Sequence, residues 1–157
     1  MTNAPAPQGA PTAEVPLSAP LYGASFGQAI QRFFKKYATF SGRASRSEYW
    51  WWSLANYLIV TVLYILVSIG LSTGTYDPVT GTLAIGPLAI IAYVVLGLYG
   101  LAVIVPNLAV TWRRLHDTNR SGGFFFLALI PFVGWIILLV LALLPSDPAG
   151  SRFDAAA

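Results

Sequence analysis

Three apolar runs, residues 50–71, 83–111 and 124–144, constrain this chain more than any other feature. Each meets or exceeds the roughly 20 residues that a helix rising 1.5 Å per residue needs to cross about 30 Å of hydrocarbon. The direct reading is an all-α membrane protein with three transmembrane helices. Composition agrees: 56% of residues are apolar, 10% are charged and mean hydropathy is +0.65, which is too apolar for a soluble domain of 157 residues. In the second run Gly86 and Pro87 stand near one end and Pro106 near the other. That helix is therefore kinked or tilted, or it begins only after Pro87.

Between the second and third runs lies WRRLHDTNRSGG, residues 112–123, a basic polar island with the only histidine, His116. Ser121, Gly122 and Gly123 allow a turn from it into the third run. Ahead of the first run, Phe26, Ile30, Phe33, Phe34 and Tyr37 share one helical face, while Gln28, Gln31, Arg32, Lys35 and Lys36 share the other. Within residues 21–46 this pattern predicts a basic amphipathic helix lying in the headgroup plane with its cations toward phosphates, in preference to one packed on its own chain. Residues 1–20 are rich in Ala and Pro, with Glu14 as the single charge; they read as a disordered tail and not as a signal peptide.

The motif FSGRASRSEYWWW follows, residues 40–52. Ser45 and Glu48 have capping-box spacing, which starts a helix at Arg46, and Tyr49, Trp50, Trp51 and Trp52 suit a membrane interface. Arg32, Lys35, Lys36, Arg43 and Arg46 precede the first run, the loop 72–82 has no Lys or Arg, the island has Arg113, Arg114 and Arg120, and the tail 146–157 has Arg152 alone. By the positive-inside rule the N-terminus and the island are cytoplasmic, and with three spans the C-terminus lies outside. This clustering accounts for the pI of 9.4 and sets nucleic-acid binding aside.

FSGRASRSEYW, RRLHDTNRSGG, IPFVGW and PSDPAGSRF, in that order, give the chain a resemblance to the small bacterial inner-membrane proteins of domain of unknown function 805, over about residues 33–153. The resemblance implies a multi-pass protein of the bacterial plasma membrane with no established activity. The tail departs from that family's PGTxGxNRFG pattern at Ser146, Ser151 and Asp154.

The residues themselves assign no reaction. His116 and Asp117 are adjacent, so on a helix they point about 100° apart and do not make a base with its orienter. Ser41, Ser45, Ser47 and Ser121 lack a nucleophile elbow, and one histidine without cysteine does not make a metal site. No catalytic residue, metal or cofactor is assigned, and the protein is not read as an enzyme. The middles of the runs carry no ionisable side chain, which speaks against a simple ion-coupled transporter. Asn56 and Asn107, at similar depth, are expected to touch or share a water, because a lone amide in hydrocarbon is costly.

Arg43, Arg46, Glu48, Arg113, Arg114, His116 and Asp117, with Arg120 beside them, form an expected polar layer on the cytoplasmic side. In it Glu48 pairs with an island arginine, and Asp117 with Arg113, Arg114, Arg43 or Arg46. From Arg32 to Arg120, eight basic residues against Glu48 and Asp117 on that side leave +6, a surface suited to anionic lipid headgroups or to another subunit in a homo- or hetero-oligomer. The leading functional reading is a small scaffold or accessory protein whose layer binds lipid phosphates or a partner. The alternative is an oligomeric small transporter or channel.

Overall fold

The computed structural model describes residues 15–17 and 19–154; most of the expected disordered tail, residues 1–14 and 18, lies outside the described residues. The elements run α1 (Phe26–Lys35), α2 (Arg46–Ser72), a β-hairpin of β1 (Thr75–Asp77) and β2 (Thr82–Ala84), α3 (Pro87–Asp117), a 3-10 segment (Gly122–Leu129), α4 (Val133–Leu143) and a second 3-10 segment (Pro148–Phe153).

The spine is α2 against α3. With 27 and 31 residues they extend about 40 and 46 Å at helical rise. They run antiparallel, joined at one end where Ala44 N–H donates to the Arg113 carbonyl, 3.0 Å. At the other end the backbones meet: a Cβ on Gly70 would stand 2.2 Å from the Ala89 nitrogen, so only glycine permits this approach. In the most apolar window of each helix only 22% and 17% of residues are buried, so the two pack on one another and leave the rest of their apolar surface outward. A soluble fold would have to cover that surface.

α2 begins at Arg46 under the Ser45–Glu48 capping box. α3 departs from the expected boundaries. Thr82–Ala84 is a strand, and Pro87, which has no N–H to lose, takes the first helical turn after Gly86, so the helix starts at residue 87 and not at 83. It continues through the island to Asp117 and stops there by a Schellman motif. Asn119, at φ 59°, donates its N–H to the His116 carbonyl, and Arg120 N–H reaches the Leu115 carbonyl. Pro106 lies inside the helix and leaves the Ala102 carbonyl without its usual donor, and the Tyr37 hydroxyl supplies one.

The third apolar run is not one helix, contrary to the expectation of three. Pro131 disfavours helical backbone at Ile130, which sits at φ −83° and ψ 112°, and Phe132 turns the chain at φ 60°. Gly134 then fits against Leu127, whose carbonyl oxygen would be 1.7 Å from any Cβ placed there. The result is a hairpin whose arms, eight residues of 3-10 helix and eleven of α-helix, each extend about 16 Å. Leu138 and Leu141 of α4 pack on Leu115 of α3.

α1 is turned differently from the expected arrangement of its two faces. A Ser25–Gln28 capping box starts it, but its inward face is Ala29, Arg32 and Phe33, with Lys36 one turn on. Phe33 stacks on Trp52 at 3.4 Å and 15°, whereas Phe26, Phe34 and Tyr37 stay exposed. The helix is thus rotated so that two of its cations face the protein, where they meet a carboxylate.

Candidate functional site

The polar cap lies where α1, the start of α2, the end of α3 and the C-terminal tail converge. Glu48, 4% exposed, faces inward from the first turn of α2. Its Oε1 accepts from Arg32 Nε at 2.5 Å, and its Oε2 accepts from Ser45 N–H at 2.9 Å and Leu21 N–H at 3.3 Å. The remaining donors of Arg32 hold the incoming chain through the carbonyls of Val15, Pro16 and Ala19. Residues 15–17, 19 and 20, read from the sequence as part of a tail, are therefore a strap over this ion pair. Glu48 takes Arg32 as its partner and none of the island arginines.

Arg113 is also buried. Its Nε donates to the Ala109 carbonyl at 3.1 Å, and its Nη2 has no partner among the described residues. Lys36, 3% exposed, lies in the field of Glu48, Arg32, Arg113 and Asp154 and belongs to none of the three ion pairs among the described residues. Burial pulls its pKa from 10.5 to about 8, against the attraction of Glu48. The sign follows from proton counting. Above pH 8 the folded chain releases this proton while the unfolded chain keeps it to about 10.5, so stability rises with pH across that window and the cost is full below it. The Lys36→Met variant is expected to lose this rise and to be up to about 3 kcal/mol more stable near pH 7. Unfolding in detergent from pH 7 to 10.5 measures it, and parallel curves for the two proteins would contradict the assignment.

The second half of the cap centres on Asp117, which is fully buried. Its carboxylate accepts from Arg114 Nη1, from Ser146 Oγ at 2.5 Å and from the Tyr22 hydroxyl at 3.0 Å, and its carbonyl accepts from Asp147 N–H at 2.8 Å. Arg114 reaches on to the carbonyls of Ala142 and Leu144, 3.1 and 2.5 Å. Arg46 Nε also donates to Leu144, 3.1 Å. Arg43 pairs with Asp154 of the tail, 2.7 Å, and leaves Glu48 and Asp117 to others. Arg120 is outside these contacts, with its guanidinium 5.7 Å from the centre of the Phe124 ring.

His116 is held on both sides. Gly42, at φ 79°, donates N–H to the Phe153 carbonyl at 2.9 Å and offers its own carbonyl to His116 Nδ1 at 3.0 Å, so that nitrogen carries the proton. The Phe153 ring stacks on the imidazole at 4.1 Å and 5°. Gly150 lies against the His116 carbonyl, 2.4 Å from where a Cβ would be. The tail that the sequence reading places apart from the island is therefore packed on it.

Asn56 and Asn107 are not hydrogen-bonded to one another. Asn56 accepts from the Tyr99 hydroxyl at 2.8 Å and Asn107 from Trp52 Nε1 at 2.6 Å, each across the α2–α3 seam.

The sequence layer thus divides into two clusters, Glu48 with Arg32, Lys36 and Arg113, and Asp117 with Arg114, Tyr22 and Ser146. Arg32, Lys36, Tyr22, Ser146, Phe153 and Asp154 were missed as members. The signal that could have found the tail residues is the acidic pair Asp147 and Asp154 in PSDPAGSRFD, beside an island rich in arginine.

Two helices of spanning length with apolar outward faces, tied at one end by a buried polar cap, are the build of a small integral membrane protein. Comparison with known proteins gives its family: residues 37–155 match the model of DUF805, described as a protein of unknown function, and the chain belongs to that family. It is similar to inner membrane protein YhaH of Escherichia coli K12, 37% identical over 122 residues that cover 78% of this chain and 89% of the relative. It is also similar to inner membrane protein YhaI of the same organism, 35% identical over 119 residues, 76% and 86% of the two chains. No solved structure matches. The match takes in both the island and the tail that packs on it.

Proposed function

We propose that the chain is a small accessory protein of the bacterial inner membrane. In this reading it crosses the bilayer twice, and its N-terminal strap, island and C-terminal tail share the cytoplasmic face, where the basic cap meets phosphates of the inner leaflet. The observation that carries the reading is the Leu144 carbonyl. The last residue of the third apolar run accepts from both Arg46 and Arg114, so the run leaves and returns at the same end of the α2–α3 pair. Arms of about 16 Å do not cross about 30 Å of hydrocarbon. The hairpin 122–144 then lies in one leaflet, and the C-terminus moves to the opposite side from the one that three spans imply. The arginine and lysine distribution supports a cytoplasmic cap, and the two relatives are named inner membrane proteins.

The cap supports an accessory role better than a transport one. Its three ion pairs fix chain segments to one another, and the α2–α3 seam holds two amide–aromatic bonds. A rigid cationic cap of this kind suits anionic lipid or an acidic partner surface. Reporter fusions test the topology. Green fluorescent protein fused after the C-terminus is expected to fluoresce and alkaline phosphatase there to be inactive, whereas phosphatase inserted after Val79 is expected to be active. An active phosphatase at the C-terminus would restore the three-span arrangement.

A further inference from the structure

At the edge of the cap two cavities adjoin. One, about 350 Å³, is lined by Tyr22, Gly23, Ser45, Arg46, Ser47 and Ser146. The other, about 210 Å³, is apolar and is lined by Ser47, Trp50, Trp51 and Leu54. They share Ser47. Arg46 is exposed and spends only Nε within the protein, so among the described contacts both of its terminal nitrogens are free to point at a ligand. Arg43 reaches the same cavity through the Tyr22 hydroxyl, 3.4 Å. The carboxylate behind this wall, Asp117, is already matched by Arg114.

A chamber with a free guanidinium fork, sharing Ser47 with a groove between tryptophans, fits a ligand with an anionic head and an apolar tail. From this juxtaposition we propose that the paired cavities seat one anionic phospholipid, its phosphate on Arg46 and an acyl chain along Trp50, Trp51 and Leu54. Guanidinium binds phosphate as a fork, two donors to two oxygens, which a lysine would not reproduce. The aromatic groove supplies contact area where headgroups give way to hydrocarbon. The charge excludes zwitterionic lipid as the preferred occupant, since its headgroup cation would face Arg46 and Arg43.

The seat rests on the cap facing lipid phosphates, and the test separates the two ideas. Native mass spectrometry of the full chain, purified and re-equilibrated with phosphatidylglycerol or phosphatidylcholine, counts bound lipid. The intact protein is expected to retain one phosphatidylglycerol about tenfold more tightly than phosphatidylcholine. Arg46→Gln is expected to lose that preference, and Trp51→Ala to weaken both lipids several-fold, with helix content unchanged because both side chains are exposed. Arg120→Gln, on a cap arginine outside the cavities, is expected to leave binding as it was. Glycerol 3-phosphate in hundredfold excess is expected not to displace the lipid; full displacement would identify a soluble phosphate ligand and overturn the lipid seat. Equal losses for Arg46→Gln and Arg120→Gln would overturn the seat and leave a diffuse basic surface, whereas no preference for anionic lipid in any protein would overturn both readings.

Discussion

Replacing Glu48 with glutamine is expected to destabilise the protein by about 3–5 kcal/mol, the cost of removing one partner from a buried ion pair. In a domain of this size that is a fall of about 10 °C in the midpoint of thermal unfolding in detergent. Shape is kept, so the effect reports the lost charge together with one lost acceptor oxygen. Glu48 is the carboxylate bonded to Arg32, and it is the acid whose charge offsets both Lys36 and Arg113. Without it three buried or nearly buried cations face one another, and the strap 15–21 loses its bond through Leu21 N–H. The double variant Glu48→Gln with Lys36→Met is expected to recover part of the loss, because it removes one of the uncompensated cations. A single Glu48→Gln within 1 kcal/mol of the parent would show that Arg32 and Lys36 are neutralised in some other way.

The second large effect is expected at Asp117. Its carboxylate joins the end of α3, the N-terminal segment through Tyr22 and the tail through Ser146. Asp117→Asn presents an amide donor where Arg114, Ser146 and Tyr22 all donate, and about 3–5 kcal/mol is again the expected cost. The distinguishing consequence is local. Hydrogen exchange of residues 146–154 is expected to become fast, because the amides of Asp147, Gly150 and Asp154 depend on the docked tail for their protection. Gly150→Val, whose side chain would collide with the His116 carbonyl, is expected to release the same peptide while leaving the Arg114–Asp117 pair intact. Slow exchange in both variants would mean that the tail is held by Arg43–Asp154 and the His116–Phe153 stack alone.

Much of the fold could be read from local chemistry. The Ser45–Glu48 spacing placed the start of α2, and the length of the first two apolar runs placed two helices of spanning length. The same kind of signal was present and overlooked elsewhere. Ser25 and Gln28 cap α1 as Ser45 and Glu48 cap α2, and Pro131 breaks the third run because the residue before a proline avoids helical backbone. The rule is not uniform, because Pro106 is accommodated inside α3 where Tyr37 donates to the freed carbonyl of Ala102, whereas before Pro131 the Leu127 carbonyl takes the Ile130 N–H in a 3-10 turn and the segment ends. That difference is tertiary.

Local sequence could not choose ion-pair partners. Eight cations and two carboxylates allow many pairings with similar Coulomb energy, and desolvation decides among them. Arg32 wins Glu48 because Phe33 stacks on Trp52 and rotates α1 inward, and Arg43 wins Asp154 because the hairpin returns the tail to the island.

What the sequence by itself determined is the solvent this protein lives in, its two long helices, their caps and the concentration of cations beside them, since each depends on composition or on spacing within a few residues. What only the tertiary structure decided is that the third run folds back, that the strap and the tail complete the cap, and which charges meet. Those outcomes join residues as far apart as Arg43 and Asp154, and burial makes such long-range contacts strong only once the helices have brought them together.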